Sequence, residues 1–262
     1  MAVIAGVSAQ SGQSQAESAG FDSRHPLSAG SFDSGRHYGA VMATAQFKDL
    51  VLDAMDATRL GAFWGHVLDR KWQTQDIGDG WLSGATPQHT IWINQVPEPL
   101  TVKNRVHFDI YATSLADLEQ LGATIVQPYE RWTVMADPEG TQFCAFLRDE
   151  LPADRMHGLV VDSADPATIA TWWASLFDAP VEVNSEDWAT IEKIAGMPIL
   201  TMDFTKVPEP KTVKNRIHWD VSVTDVQPLL DAGATLLRAK DDKIRWHVLA
   251  DPEGNEFCAF ED

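Results

Sequence analysis

Residues 104–110 read NRVHFDI, and residues 215–221 read NRIHWDV. Arg105, His107 and Asp109 alternate with Val106, Phe108 and Ile110. Strand side chains point to opposite faces in turn. The stretch therefore predicts a β-strand with one polar face and one apolar face. Its second copy sets Arg216, His218 and Asp220 against Ile217, Trp219 and Val221. The duplication extends in both directions. VPEPLTVKNRVHFDI (96–110) and VPEPKTVKNRIHWDV (207–221) agree at 11 of 15 positions. ADPEGTQFCAF (136–146) and ADPEGNEFCAF (250–260) agree at 9 of 11. Nearer the N-terminus, LVLDAMDATRLGAFWGHVL (50–68) matches LVVDSADPATIATWWASLF (159–177). The chain is one unit written twice, over residues 42–149 and 155–262. The polar stretch RDELPADR (148–155) joins the copies, as a linker would.

Each unit divides again. DLVLDAMD reads as a strand, and Asp56 can cap the helix that follows. Leu60, Phe63, Trp64, Val67 and Leu68 then share one helical face. In the second copy Asp165 and Pro166 open the helix, and Ile169, Trp172, Trp173, Leu176 and Phe177 form the face. Short strands are expected around 72–75 and 90–96. From residue 104 the order is strand, a short helix that Gly122 can end, and strands around 123–127, 131–136 and 141–147. Asp-Pro-Glu-Gly suits a type I turn between the last two. Each half-unit is a strand, a helix, then two or three strands.

The composition narrows the function. The 262 residues are 44% hydrophobic and include ten Trp, enough for one large or two ordinary cores. Lys and Arg total 20 against 38 Asp and Glu, a net charge of −18. Such a field repels phosphate backbones, which argues against a nucleic-acid partner. No apolar run reaches the length of a bilayer span, and the N-terminus lacks a secretory pattern. The two cysteines, at equivalent repeat positions, make no disulfide framework, so a cytoplasmic location is expected. Residues 1–41 are rich in Ser, Gly, Ala and Gln and read as a disordered tail, with the functional chain expected to begin near Met42.

Paired βαβββ modules, an HxD strand and a DPxG hairpin before the last strand together resemble the vicinal oxygen chelate superfamily, and within it the glyoxalase-like domains. The superfamily holds glyoxalases, extradiol dioxygenases and bleomycin-resistance-type binding proteins. The resemblance covers residues 47–262. It implies an α+β fold of four βαβββ modules paired into two domains, with sheets curled around clefts and helices outside. Val106, Phe108 and Ile110 would then pack beneath a helix, while Arg105, His107 and Asp109 would face a cleft.

The resemblance also implies where a metal would sit: on the first strand of each module and on a Glu four residues after the DPxG turn. By position in the repeats, the first copy offers Asp49, His107 and Cys144, and the second Gly158, His218 and Cys258. A carboxylate, an imidazole and a thiolate can hold a divalent Zn, Ni or Fe ion. Cysteine in place of Glu, and Gly158 with no side chain, count against ordinary metal chemistry of the family.

Without a metal, His107 with Asp109 and His218 with Asp220 are the candidate acid–base pairs, the carboxylate orienting the imidazole and raising its basicity. Asp53 and Asp162 fall on the same strand faces and are candidate ligand contacts, or strand-end groups bonded to backbone. Glu256 replaces Gln142, so the two clefts differ in charge. Cys144 and Cys258 are either small buried groups or thiols near a cation. PEPxTVKNR is a stiff connector, or it brings Lys103, Arg105, Lys214 and Arg216 to the cleft mouth to attract an anion. The expected function is binding of a small anionic or aromatic molecule, with lyase or isomerase chemistry. The alternatives are a non-catalytic binder of bleomycin-resistance type and a metal-dependent lyase or dioxygenase. The four modules suit a monomer, and a homodimer is compatible.

Overall fold

Four βαβββ modules make up the computed structural model, which describes residues 43–75 and 78–261. The expected tail and the start at Met42 lie outside the described residues. The first module holds β1 (Gln46–Ala54), α1 (Ala57–Leu68), β2 (Lys71–Thr74), β3 (Gly80–Ser83) and β4 (Ile91–Gln95). The second holds β5 (Val106–Ala112), α2 (Leu115–Gln120), β6 (Thr124–Pro128), β7 (Thr133–Ala136) and β8 (Gln142–Leu147). The third holds β9 (Met156–Ser163), α3 (Pro166–Phe177), β10 (Val181–Ser185), β11 (Trp188–Glu192) and β12 (Thr201–Lys206). The fourth holds β13 (Ile217–Val223), α4 (Gln227–Asp231), β14 (Thr235–Arg238), β15 (His247–Ala250) and β16 (Glu256–Glu261).

The caps foreseen in the sequence are in place. The Asp56 side chain accepts the Arg59 N–H at 2.9 Å, and Asp165 accepts that of Thr168 at 3.2 Å. Gly122 follows α2 with φ +109°, a left-handed conformation in which a Cβ is strained.

The sheets cross the repeat boundary. The first sheet runs β14-β15-β16-β13-β1-β4-β3-β2, and the second β10-β11-β12-β9-β5-β8-β7-β6. Their central joints are antiparallel: Val51 opposite His218, and His107 opposite Val160. Module one therefore pairs with module four, and module two with module three. The PEPxTVKNR connectors cause this exchange. Their prolines keep the chain extended and out of the ladder. Ten such residues reach up to about 33 Å, enough to carry the chain from β4 in one sheet to β5 in the other.

One apolar core lies between the sheets. Val106, Phe108 and Ile110 are buried, as are Ile217, Trp219 and Val221. Helices α1 and α3 cover these apolar faces, opposite the polar rows. Trp64 of α1 meets Phe108 and Phe143 of the second sheet, with ring centroids 5.3 and 5.2 Å away. Trp173 of α3 meets Trp219 and Phe257 of the first sheet, both at 4.9 Å. So each helix rests on its own module and reaches across to the other sheet.

The DPEG turns anchor those helices. Asp137 closes its turn by accepting the N–H groups of Glu139 (2.9 Å) and Thr141 (3.0 Å), and it also accepts Trp64 Nε1–H at 3.4 Å. Asp251 does the same for Glu253, Asn255 and Trp173 Nε1–H at 2.9, 2.8 and 3.1 Å. The turn's glutamate reaches the helix start: Glu139 accepts the N–H of Met55 and Asp56, and Glu253 those of Ala164 and Asp165. These donors precede the first helical turn and would otherwise face only water. Glu139→Ala or Glu253→Ala should each cost about 1–2 kcal/mol in urea unfolding. An unchanged midpoint for both would remove the clamp from this account.

Candidate functional site

The strand register builds two polar clusters. On the second sheet β5 and β8 run parallel with Asp109 beside Cys144, and β9 places Gly158 opposite Asp109. His107 Nε2 lies 3.6 Å from Asp109 Oδ1 and 3.6 Å from Cys144 Sγ. On the first sheet Asp220 stands beside Cys258 and opposite Asp49. His218 Nε2 is again 3.6 Å from Asp220 Oδ1 and 3.6 Å from Cys258 Sγ. In each cluster one donor atom from His, Asp and Cys lies within 4.8 Å of the others.

The sequence had grouped Asp49 with His107 and Cys144, and Gly158 with His218 and Cys258. The structure corrects both groupings. Because β1 pairs with β13 and β5 with β9, Asp49 belongs with His218, Asp220 and Cys258, and Gly158 with His107, Asp109 and Cys144.

Burial sets the protonation of these groups. It pulls His107 and His218 down to about 3, with Lys103 and Lys214 acting in the same direction. Both imidazoles are neutral at pH 7. The gain in basicity expected from the adjacent Asp is outweighed by desolvation. Burial pushes the Asp109 carboxyl up to about 7, the Asp203 charge pushes it further, and the Cys144 thiol acts against both. Asp220 is raised well above the usual carboxylate range by burial and then by Asp49. Burial and the neighbouring Asp also raise both cysteine thiols, which is the opposite of an activated nucleophile. The group poised near neutrality is Asp109, not His107.

The other expected contacts are engaged within the protein. Lys103 Nζ pairs with Asp162 at 2.7 Å, and Lys214 Nζ pairs with Asp53. Arg105 donates to the carbonyls of Glu209 (2.6 Å) and Asp162 (2.9 Å), and Arg216 to that of Glu98. These cations lock the crossing connectors together. Glu256 accepts from Lys211 Nζ at 2.7 Å and from the Asn215 N–H at 3.2 Å. In the other repeat Leu100 stands where Lys211 does, and the half-buried Gln142 stands where Glu256 does.

Asp203 escaped the sequence reading. It lies on β12, where it accepts from Trp188 Nε1–H (3.2 Å), Thr190 Oγ1–H (2.7 Å) and Thr201 Oγ1–H (2.6 Å). TIWIN (90–94) aligned on TMDFT (201–205) sets Asp203 against Trp92, between buried apolar neighbours. An acid at that place in a strand was the available signal. An aromatic wall adjoins the second-sheet cluster. His157 stacks on Tyr111 at 4.2 Å and meets Phe146 edge-on at 4.8 Å, and Phe146 stacks with Trp132 at 5.9 Å. A cavity of about 420 Å³ opens beyond Tyr111, between the linker residues Pro152–Asp154 and Leu200. It adjoins the wall rather than the His107 cluster.

The sequence signature described as "Glyoxalase-like domain" matches residues 49–146 and again 158–260. The chain belongs to the glyoxalase-like domain family. Among solved structures, glyoxalase I from Zea mays superimposes with a TM-score of 0.60 over 83% of this chain and 92% of that chain, at 11% identity. A putative dioxygenase from Bacillus subtilis gives 0.57 over 84% and 86%, at 13% identity. At that identity the likeness is one of fold, that of the vicinal oxygen chelate superfamily. No curated protein sequence matches the chain. Among the described residues no helix is long and apolar enough to cross a bilayer.

Relatives in the vicinal oxygen chelate superfamily often hold a metal, and each cluster here offers an imidazole, a carboxyl and a thiol as donors. Nitrogen at about 2.0 Å and sulfur at about 2.3 Å from a tetrahedral ion would lie about 3.5 Å apart. The His–Cys spacing is 3.6 Å in both clusters. Asp109 Oδ1 and Asp220 Oδ1 are enclosed and have no hydrogen-bond partner. Both clusters fit a small divalent cation whose binding would displace the thiol proton.

Proposed function

We propose that this glyoxalase-like chain binds a small aromatic molecule on the polar faces of its sheets and moves a proton at Asp109 and Asp220. One observation carries the reading: in each cluster an enclosed carboxyl oxygen lacks a hydrogen-bond partner, while burial raises its carboxyl, to about 7 for Asp109 and well above the usual carboxylate range for Asp220. A carboxyl half-ionised near pH 7, as Asp109 is, can both take and return a proton, as lyase and isomerase chemistry requires. His107 and His218, held neutral, would orient a substrate oxygen by hydrogen bonding rather than carry charge. Aromatic is favoured over anionic because Lys103 and Lys214 are already paired with carboxylates, whereas the wall of Tyr111, His157 and Phe146 stands beside the cluster. Closure of both sheets within one chain supports a monomer.

The donor spacing favours a second reading, in which His107, Asp109 and Cys144, or His218, Asp220 and Cys258, hold a divalent cation. Such an ion would polarise a substrate oxygen. Metal analysis of the purified protein separates the readings, and stoichiometric Zn, Ni or Fe would establish the second.

For the first reading, a panel of small aromatic compounds should raise the melting temperature of metal-stripped protein. His107→Gln with His218→Gln should lower turnover of any substrate so found by about 10²-fold or more. Stabilisation with no turnover of any compound would leave a non-catalytic binder. No stabilisation by any compound would overturn the small-molecule reading.

A further inference from the structure

The two clusters share their His, Asp and Cys, but their surroundings have diverged. At corresponding positions the first sheet carries Asp49 and Trp92, and the second carries Gly158 and Asp203. A carboxylate has in effect moved from one strand to another. On the first sheet, Asp49 fills the space opposite Asp220 and accepts from Trp92 Nε1–H at 3.2 Å and Lys48 Nζ–H at 2.6 Å. Trp81 packs on Trp92 at 5.5 Å. On the second sheet only the backbone of Gly158 stands opposite Asp109, whose side chain leans over it. A Cβ there would lie 3.0 Å from Asp109 Cβ. The His107 and Asp109 side chains are each 14% exposed, against 9% for His218 and 6% for Asp220.

We infer that the second-sheet site is the one that accepts a ligand, that this ligand is a flat aromatic ring carrying an aliphatic amine in its ammonium form, and that Asp203 is the carboxylate that selects it. The inference rests on the small-molecule reading above. Three donors fix Asp203 in place. Across β9 from it, on β5, Asp109 Oδ1 is an unsatisfied acceptor. Two acidic groups with a vacant acceptor suit a group that brings several N–H donors and a positive charge, and they repel a carboxylate. Of the cations beside the site, Lys103 is committed to Asp162, and Arg148 lies over the Tyr111 ring at 4.7 Å.

The ring's place follows from strand period. Tyr111 lies two residues beyond Asp109 on β5, and Phe146 two beyond Cys144 on β8, so both share the cluster's face. Aromatic faces beside the carboxylates attract a cation-bearing ring by stacking and by their negative faces, and at Tyr111 the ligand ammonium would take the place now held by the Arg148 guanidinium, 4.7 Å from the ring centroid. On the first sheet Ser222 and Lys48 stand at the Tyr111 and His157 positions. Each rim also carries a cation, Lys48 at 4.3 Å from the Phe260 ring centroid and Arg148 at 4.7 Å from that of Tyr111, so this charge does not separate the two sites.

The test uses the full chain in excess chelator and three probes of one shape: phenethylamine, phenethyl alcohol and 3-phenylpropionate. Calorimetry should show one phenethylamine per chain, bound at least about tenfold more tightly than the other two. Asp203→Asn should weaken it by at least about tenfold. In wild-type NMR spectra phenethylamine should shift the ring protons of His107 and His157 and leave those of His218 in place, a readout that survives if the variant misfolds. Two bound per chain, preference for the alcohol or the propionate, unchanged affinity in Asp203→Asn, or shifts at His218 would each overturn the inference. Of these, binding of the propionate or the alcohol would leave the broader aromatic-ligand reading standing. Failure of all three probes, together with the full panel above, would remove both.

Discussion

Trp173→Ala should lower the melting temperature by about 10 °C or more, since each kcal/mol is worth about 2–4 °C in a domain of this size. Trp173 is fully buried, and its ring touches Trp219, Phe257 and Phe177. Truncating such a side chain costs about 3–5 kcal/mol in lost transfer energy and residual cavity. A second loss comes with it. Asp251 gives up the indole N–H as a partner while remaining buried, which adds about 1–3 kcal/mol. Trp64→Ala should act alike in the other half, slightly less because its bond to Asp137 is longer at 3.4 Å. Differential scanning calorimetry measures both. A loss below about 1 kcal/mol for either would mean that α1 and α3 do not join the two sheets.

Asp109→Asn should stabilise the protein at pH 8, against the usual direction for substitutions. The Asp109 carboxyl keeps its proton to about pH 7 when folded, and only to 3.8 when unfolded. Between those values the folded chain binds more protons, so stability falls as pH rises through the window. Asp220 acts in the same direction. The histidines act oppositely. His107 and His218 titrate at about 3 folded and 6.5 unfolded, so their contribution is complete above 6.5 and is lost as pH falls toward 3. The slopes offset between about pH 4 and 6.5 and leave a stability plateau there, with losses on either side. Removing the Asp109 charge abolishes part of the alkaline loss, on the order of 3 kcal/mol at pH 8 and little near pH 4. Urea midpoints at the two pH values decide it. A destabilised Asp109→Asn at pH 8 would mean that this carboxyl is ionised and well solvated.

The alternation of NRVHFDI and its copy made the strand faces legible, because a period of two leaves little freedom once one face is greasy. The caps at Asp56 and Asp165 and the helical stripe around Trp64 were equally readable, since each is local. Strand β3 was not. Four residues beside glycine, Gly80–Ser83, are too few for a period to show. The partner of each polar row was hidden for a different reason. Which module meets which depends on where ten extended connector residues lead, and no local preference encodes that. Asp49 was therefore assigned to the wrong histidine. Asp203 was missed because its role depends on β12 lying beside β9, two strands from Asp109. The protonation of the site was also beyond the sequence: adjacency suggested that Asp would make His basic, and only the depth of burial reverses that.

The exchange of strands between repeats bears on how the two sites came to differ. A half-length chain would leave β1 and β5 with bare inner edges, and a second identical half would satisfy them. In such a symmetric assembly any replacement appears in both sites at once. Covalent fusion through residues 148–155 breaks that coupling. Only in the fused chain can one edge carry an aspartate and its counterpart a glycine, so the linker is what allows one ancestral site to become two distinct ones.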